Sequence, residues 1–177
     1  MISRTHNRIL FLCQAAMTAA LYVALTYLAN ALGLASGAIQ FRLSEVLAVL
    51  PFFTPAAIPG LYIGCLLANI LTACAPLDIA LGPVATLLGA LGAYFLSKMP
   101  VKWNKWVAPI PNILFNIVFV TFIVFFCYTD PAEMVPATIP VIAGGVAIGE
   151  VVTGYGLGIL LLLALDPVKE RLFPKKQ

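Results

Sequence analysis

The chain predicts an all-α integral membrane protein with six transmembrane helices, and three observations predict it. First, 62% of its 177 residues are hydrophobic, only 10% are charged, and the mean hydropathy is +1.04. A water-soluble domain of this size has too small an interior to hide so many apolar side chains. Lipid as solvent removes the conflict. Second, the lysines and arginines fall into four places: Arg4 and Arg8; Arg42 alone; Lys98, Lys102 and Lys105; and Lys169, Arg171, Lys175 and Lys176. Third, the apolar runs between these places have lengths that fit whole numbers of membrane crossings.

The positive-inside rule places the first, third and fourth cationic groups in the cytoplasm. Both termini then lie inside and the number of spans is even. The first span, Ile9–Leu34, is too long for the apolar stretch of a signal peptide and lacks a typical cleavage site, so it is expected to be retained. From Leu43 to Ser97 there are 55 residues, which must hold an odd number of spans. Three spans of roughly 18 residues suit a hydrocarbon core of about 30 Å. They are expected near 43–53, 57–74 and 78–97. The first of the three is short, and Pro51, Pro55 and Pro59 predict a kink or break around it. Spans at 107–127 and 139–165 bring the total to six. The outer loops then carry Arg42, the Ala75–Leu77 turn and Asp130–Glu133, and residues 1–177 form a single membrane domain. The last span is rich in glycine (Gly144, Gly145, Gly149, Gly154, Gly156, Gly158), which is consistent either with close helix packing or with a local break lining a site.

Several function classes lose support at once. Cys13, Cys65, Cys74 and Cys127 lie in or beside apolar segments without CxxC spacing and read as small buried hydrophobes, not as metal or redox groups. The net charge of +3 is modest and its cations mark topology, not a nucleic-acid surface. No GxxxxGK[ST] phosphate loop and no HExxH motif is present, and the single histidine, His6, falls in the basic N-terminal stretch. No nucleophile–base pair is evident. The sequence argues against an enzyme, against a cofactor, and against any ability to power transport from ATP within this chain.

Polar side chains at membrane depth carry the functional signal, because they are costly there unless they face the bundle interior or a watery cavity. Glu45 lies just inside the outer end of the second span, Asn69 near the outer end of the third, and Asp78 opens the fourth. Asn112 and Asn116 are four apart and share a face of the fifth span. Glu150 sits near the middle of the sixth with no Lys or Arg near it in sequence, so it needs a distant partner, a ligand or a proton. Simpler roles exist for the others: interhelical hydrogen bonds for the asparagines, a helix N-cap for Asp78, and an Arg42–Glu45 pair three residues apart. Together, the outer placement of Arg42, Glu45, Asn69 and Asp78 predicts a pocket that opens outward. In the first span, Ala16, Ala20 and Ala24 align on one face with Ala15 and Ala19 beside them. Such a stripe permits close helix approach, either within the bundle or to a partner.

The stretch Ile39-Gln40-Phe41-Arg42-Leu43-Ser44-Glu45, continuing through Leu50-Pro51-Phe52-Phe53-Thr54-Pro55 and Pro59-Gly60-Leu61 to Leu66-Leu67-Ala68-Asn69, resembles the QueT family. These are S components of energy-coupling factor (ECF) transporters assigned to queuosine precursors. Asp78-Ile79, Gly82 and Ala85-Thr86-Leu87-Leu88 fit the same pattern, and the likeness covers nearly the whole chain. The resemblance implies an ECF S-component-like bundle of six helices in the cell membrane, with cytoplasmic termini and substrate capture from outside. It also implies a coupling membrane protein, EcfT, and two ECF ATPase subunits as partners, with the face of Ala16, Ala20 and Ala24 docking to the coupling protein.

For a ligand such as queuine or prequeuosine base, the adjacent N1–H and exocyclic amine of the 7-deazaguanine ring suit one carboxylate, and the cationic side arm suits another. Glu45, Asp78 and Glu150 are candidates for these acidic roles. Gln40, Asn69, Asn112 and Asn116 are candidates for amide contacts, and O6 of the base accepts from an amide or from Arg42. Glu45 is expected to read the guanine-like edge and Glu150 or Asp78 to meet the amine, with Phe41, Phe115 or Phe119 available to stack on the ring. Two alternatives stay open: an S component for a different vitamin, and a self-contained proton-coupled secondary transporter using Glu150 or Asp78 as a relay.

Overall fold

The computed structural model describes residues 4–34 and 40–173, and among these every regular element is helical. Helix α1 (Arg4–Ala31) has 28 residues and so reaches about 42 Å, enough to cross a hydrocarbon core. It stops where Gly33 adopts a left-handed φ of 69°. The amides of Gly33 and Leu34 bond back to the carbonyls of Asn30 and Ala29 at 3.0 and 2.9 Å, a glycine cap that closes the last turn.

A ten-residue 3₁₀ helix, Leu43–Phe52, follows. It is short, as expected, and mostly buried, but where the prolines predict a kink or break it is wound more tightly than an α-helix. Residues three apart eclipse on a 3₁₀ helix, so Arg42 and Glu45 share a face. Helix α2 (Ala57–Leu71) packs on α1 through two glycines. A Cβ at Gly60 would stand 2.6 Å from the Ala15 carbonyl oxygen, and one at Gly64 would stand 2.8 Å from Tyr22 Cβ. The inward face of α1 is therefore Ala15, Thr18, Ala19 and Tyr22, whereas Ala16, Ala20 and Ala24 lie on its exposed side. Internal packing does not use that second stripe.

Helix α3 (Pro76–Lys98) begins two residues earlier than expected. Ala75 occupies the N-cap and Asp78 lies in the first turn, so the capping role considered for Asp78 is not the one it has. Short α4 (Asn104–Val107) leads into α5 (Ile110–Cys127). The last segment is α6 (Thr138–Glu150), a π-helical turn over Val151–Leu157, and α7 (Gly158–Leu165), followed by a 3₁₀ turn at Asp166–Val168 and α8 (Lys169–Leu172). Four helical stretches are long and apolar enough to cross a membrane: Thr5–Ala31, Pro76–Lys98, Asn104–Cys127 and Thr138–Leu172. Leu43–Phe52 and Ala57–Leu71 are apolar but shorter. All six expected segments are thus helices, and two of them fall short of a full crossing by length alone.

Contacts at the two ends establish an up-and-down course. At one end Gln14 of α1 accepts from Thr54 Oγ1 at 2.9 Å and donates to the Leu172 carbonyl at 3.0 Å. At that same end Lys105 and Lys169 hold Asp166 at 2.6 and 3.0 Å. Trp103 and Trp106 are exposed beside these cations, as aromatic residues at a membrane boundary are. The other end gathers the C-terminal turns of α1, α2 and α5, the start of the 3₁₀ helix and the start of α3 around one cavity. Between the ends, large apolar side chains such as Leu12, Leu114, Val118, Val141 and Leu160 face outward, a surface that suits lipid.

Candidate substrate-binding site

The cavity at the end remote from the cationic clusters has a volume of about 520 Å³. Gln40, Arg42 and Ser44 line it from the 3₁₀ entry, Asn69 and Thr72 from α2, Asp78 from α3. Four of the residues singled out by sequence, Gln40, Arg42, Asn69 and Asp78, therefore meet around one space. Local structure explains how α2 delivers Asn69. The helix ends on Ala73 in a left-handed conformation (φ 53°), with Cys74 N–H bonded to the Asn69 carbonyl at 3.0 Å. This is the same cap that Gly33 makes on α1, built here on a residue that pays a steric cost for it. The chain then turns back, and Asn69 Nδ2 donates to the Asp78 carbonyl at 3.0 Å and to its Oδ1 at 3.2 Å.

Asp78 has a second partner that sequence reasoning did not name. Tyr128, just past α5, donates to Asp78 Oδ2 at 3.3 Å while its oxygen accepts from Ala75 N–H at 2.9 Å. Partial burial, with Asp78 nearby, pushes the Tyr128 phenol up to about 12, so it stays a donor at any ordinary pH.

The other four polar candidates form a deeper tier. Glu45, Asn112 and Asn116 are each 1% exposed and Glu150 is 3% exposed, and none of them lines the cavity. Glu45 Oε2 accepts from Asn112 Nδ2 at 2.8 Å and from Asn116 Nδ2 at 3.1 Å. The same Asn116 nitrogen donates to Glu150 Oε1 at 3.1 Å. Glu45 Oε1 accepts from the Tyr22 hydroxyl at 2.8 Å and faces Arg42 Nε at 4.0 Å. The anticipated Arg42–Glu45 pair is thus a long one, and Tyr22 is the closer partner. Tyr22 was legible in principle: a tyrosine in the middle of a lipid-crossing helix has a hydroxyl that needs a partner.

Two glycines make this tier possible. A Cβ at Gly89 of α3 would clash with Asn112 Oδ1 and lie 2.6 Å from Asn112 Cα, and one at Gly149 of α6 would clash with the Gln40 carbonyl oxygen. Glycine at these positions lets α5 approach α3, and lets α6 approach the 3₁₀ entry. Gly149 thereby supports the packing reading of the glycine series, while the π turn immediately after Glu150 is a local irregularity of the kind the other reading anticipated. Such turns are common at functional sites. Among the described residues, Glu150 Oε2, Asn112 Oδ1 and Thr121 Oγ1 are buried without a hydrogen-bond partner. Phe41, whose N–H bonds to the Leu34 carbonyl at 2.8 Å, does not line the cavity, nor do Phe115 and Phe119. Ile39 of the sequence motif lies outside the described residues.

The model of the QueT transporter family matches residues 12–167. The chain belongs to the QueT transporter family. Both tiers of polar residues fall within the matched range, as does the exposed alanine face of α1. No curated protein and no solved structure matches the chain. QueT is a transporter family and not an enzyme family, in keeping with this bundle of apolar helices.

Proposed function

We propose that the chain is the substrate-capturing S component of an ECF-type importer and that it binds a queuosine precursor, a 7-deazaguanine base such as queuine or prequeuosine base. The observation that carries this reading is the cavity lined by Gln40, Arg42, Asn69 and Asp78 at the end of the bundle away from the cationic clusters, in a chain of the QueT family. Its volume of about 520 Å³ lies in the range of small-molecule sites. Arg42 and Asn69 supply donors for O6 of the base, and Asp78 supplies an acceptor for its N–H groups. Glu45, Asn112, Asn116 and Glu150 complete the site from below.

With Lys98, Lys102, Lys105 and the C-terminal cations facing the cytoplasm, the cavity opens outside the cell and both termini lie within. Ala16, Ala20 and Ala24 then present a small-residue face that α2 leaves uncovered, suited to close approach by the coupling protein EcfT. Two ATPase subunits joined to EcfT drive the cycle that this chain cannot power.

Titration of the purified protein with queuine and prequeuosine base, alongside riboflavin, thiamine and biotin, tests the substrate. Binding of the deazaguanines alone is expected, and tighter binding by any of the three vitamins rejects the assignment. Loss of uptake on deleting EcfT, with no sensitivity to proton uncouplers at constant ATP, separates this mechanism from a proton-coupled transporter.

A further inference from the structure

The deep tier holds more negative charge than its surroundings neutralise. Glu45 and Glu150 both accept from one atom, Asn116 Nδ2, at 3.1 Å each, which leaves those two carboxylate oxygens no more than about 6 Å apart. Two like charges at such a distance, both removed from water, repel strongly and cannot both persist without a compensating cation. The groups facing the pair from every packed element are few. Tyr22 comes from α1 and Arg42 from the 3₁₀ entry. Cys65 of α2 lies near Glu45, with Thr86 of α3 beside Cys65, and Asn112 and Asn116 come from α5. Arg42 is the one cation among them, and it sits on the Glu45 side at 4.0 Å. Among the described residues Glu150, from α6, makes no ion pair, and its Oε2 is buried and unpartnered. A Cβ on Gly154 would crowd that oxygen at 3.2 Å.

The position of this tier connects it to the cavity. Ser44 and Val120 line the cavity. Glu45 follows Ser44 in the chain, and Asn116 lies one helical turn from Val120 along α5.

We propose that Glu45 and Glu150, bridged by Asn116, share one exchangeable positive charge: a proton when the cavity is empty, and the ammonium group of the ligand when it is full. The site thereby selects bases with a protonated amine over neutral ones of the same shape. This rests on the deazaguanine reading above and adds the charge class of the ligand. The exchange balances: the ammonium enters with its charge, the carboxylic acid loses its proton to solvent, and no covalent bond to the ligand forms.

The test compares the aminomethyl base with its neutral nitrile counterpart, titrated into the wild-type protein by calorimetry between about pH 6 and about pH 8. Buffers of different ionisation enthalpy report proton release. For the aminomethyl base, affinity is expected to rise by up to about tenfold per pH unit, with a proton released on binding. The nitrile base is expected to bind more weakly and without pH dependence, and Glu150→Gln to flatten the profile for the amine. Equal, pH-independent binding of both bases would overturn the shared proton while leaving the deazaguanine reading in place. Binding of neither base, with uptake of riboflavin, thiamine or biotin instead, would sink that reading and this proposal with it. The wild-type comparison decides between these outcomes even if Glu150→Gln does not fold.

Discussion

The two tiers of the site are built from different material. The cavity is lined by helix ends and turns, and several of its polar groups, Asp78, Gln40 and Tyr128 among them, keep some contact with solvent. The deep tier is built from side chains turned into the middle of the bundle, with Glu45, Asn112, Asn116 and Glu150 all at 3% exposure or less. Glycines hold the backbones around it at distances no side chain would permit. Water can replace a lost partner in the cavity. In the deep tier nothing can, so a missing group there is felt by the whole bundle. One tier is suited to recognition that can drift; the other fixes the helices against each other.

The sharpest way to break that contrast is to remove Glu45. Glu45→Ala leaves the Tyr22 hydroxyl and the Asn112 and Asn116 amides without their acceptor and takes the counter-charge from Arg42. Breaking a buried charged network of this kind costs about 3–5 kcal/mol. A large fall in melting temperature in detergent is expected, with ligand binding lost as well. Gly89→Ala comes next. Its Cβ would meet the Asn112 backbone, so α3 and α5 must separate, at a cost of about 1–3 kcal/mol for overpacking. Its thermal shift should exceed that of Gly144→Ala on α6, where an added Cβ meets nothing within 4 Å. Equal shifts would refute the claim that close backbone approach builds the deep tier.

The same contrast explains what the sequence disclosed. Composition and cation placement made the helical segments legible, because lipid imposes length and charge rules that act on the chain locally. Depth in the bilayer made Glu45, Asn112, Asn116 and Glu150 legible as a set, since each is costly there without a partner. Their pairing was not legible. That one amide nitrogen serves both Glu45 and Glu150 depends on how α5, α6 and the 3₁₀ helix pack, and no spacing encodes it. Nor did the sequence separate the four cavity residues from the four beneath them. Tyr128 escaped because it lies at the end of an aromatic-rich span, where a tyrosine also serves as an ordinary interface anchor. The tight winding of Leu43–Phe52 escaped as well, since prolines announce an irregularity without stating its form.

In the cavity, smaller effects are expected. Asn69→Ala removes both bonds to Asp78 and should cost about 1 kcal/mol of stability, while weakening ligand binding more than it weakens the fold. Tyr128→Phe should cost least. The residue is half exposed, and water can take over both the Ala75 amide and the Asp78 oxygen, so the change in unfolding free energy should be within about 1 kcal/mol of none. The variant still has a use, because it identifies one phenol. Tyr128 is held up to about 12 by partial burial near Asp78, above the value of about 10 for an open tyrosine. A difference ultraviolet titration of wild type against Tyr128→Phe should therefore place the missing tyrosinate step near 12. A step near 10 would mean that the phenol is neither sheltered nor engaged with Asp78, and the cavity rim would then lack the link between α3 and the end of α5 that holds Asp78 in place.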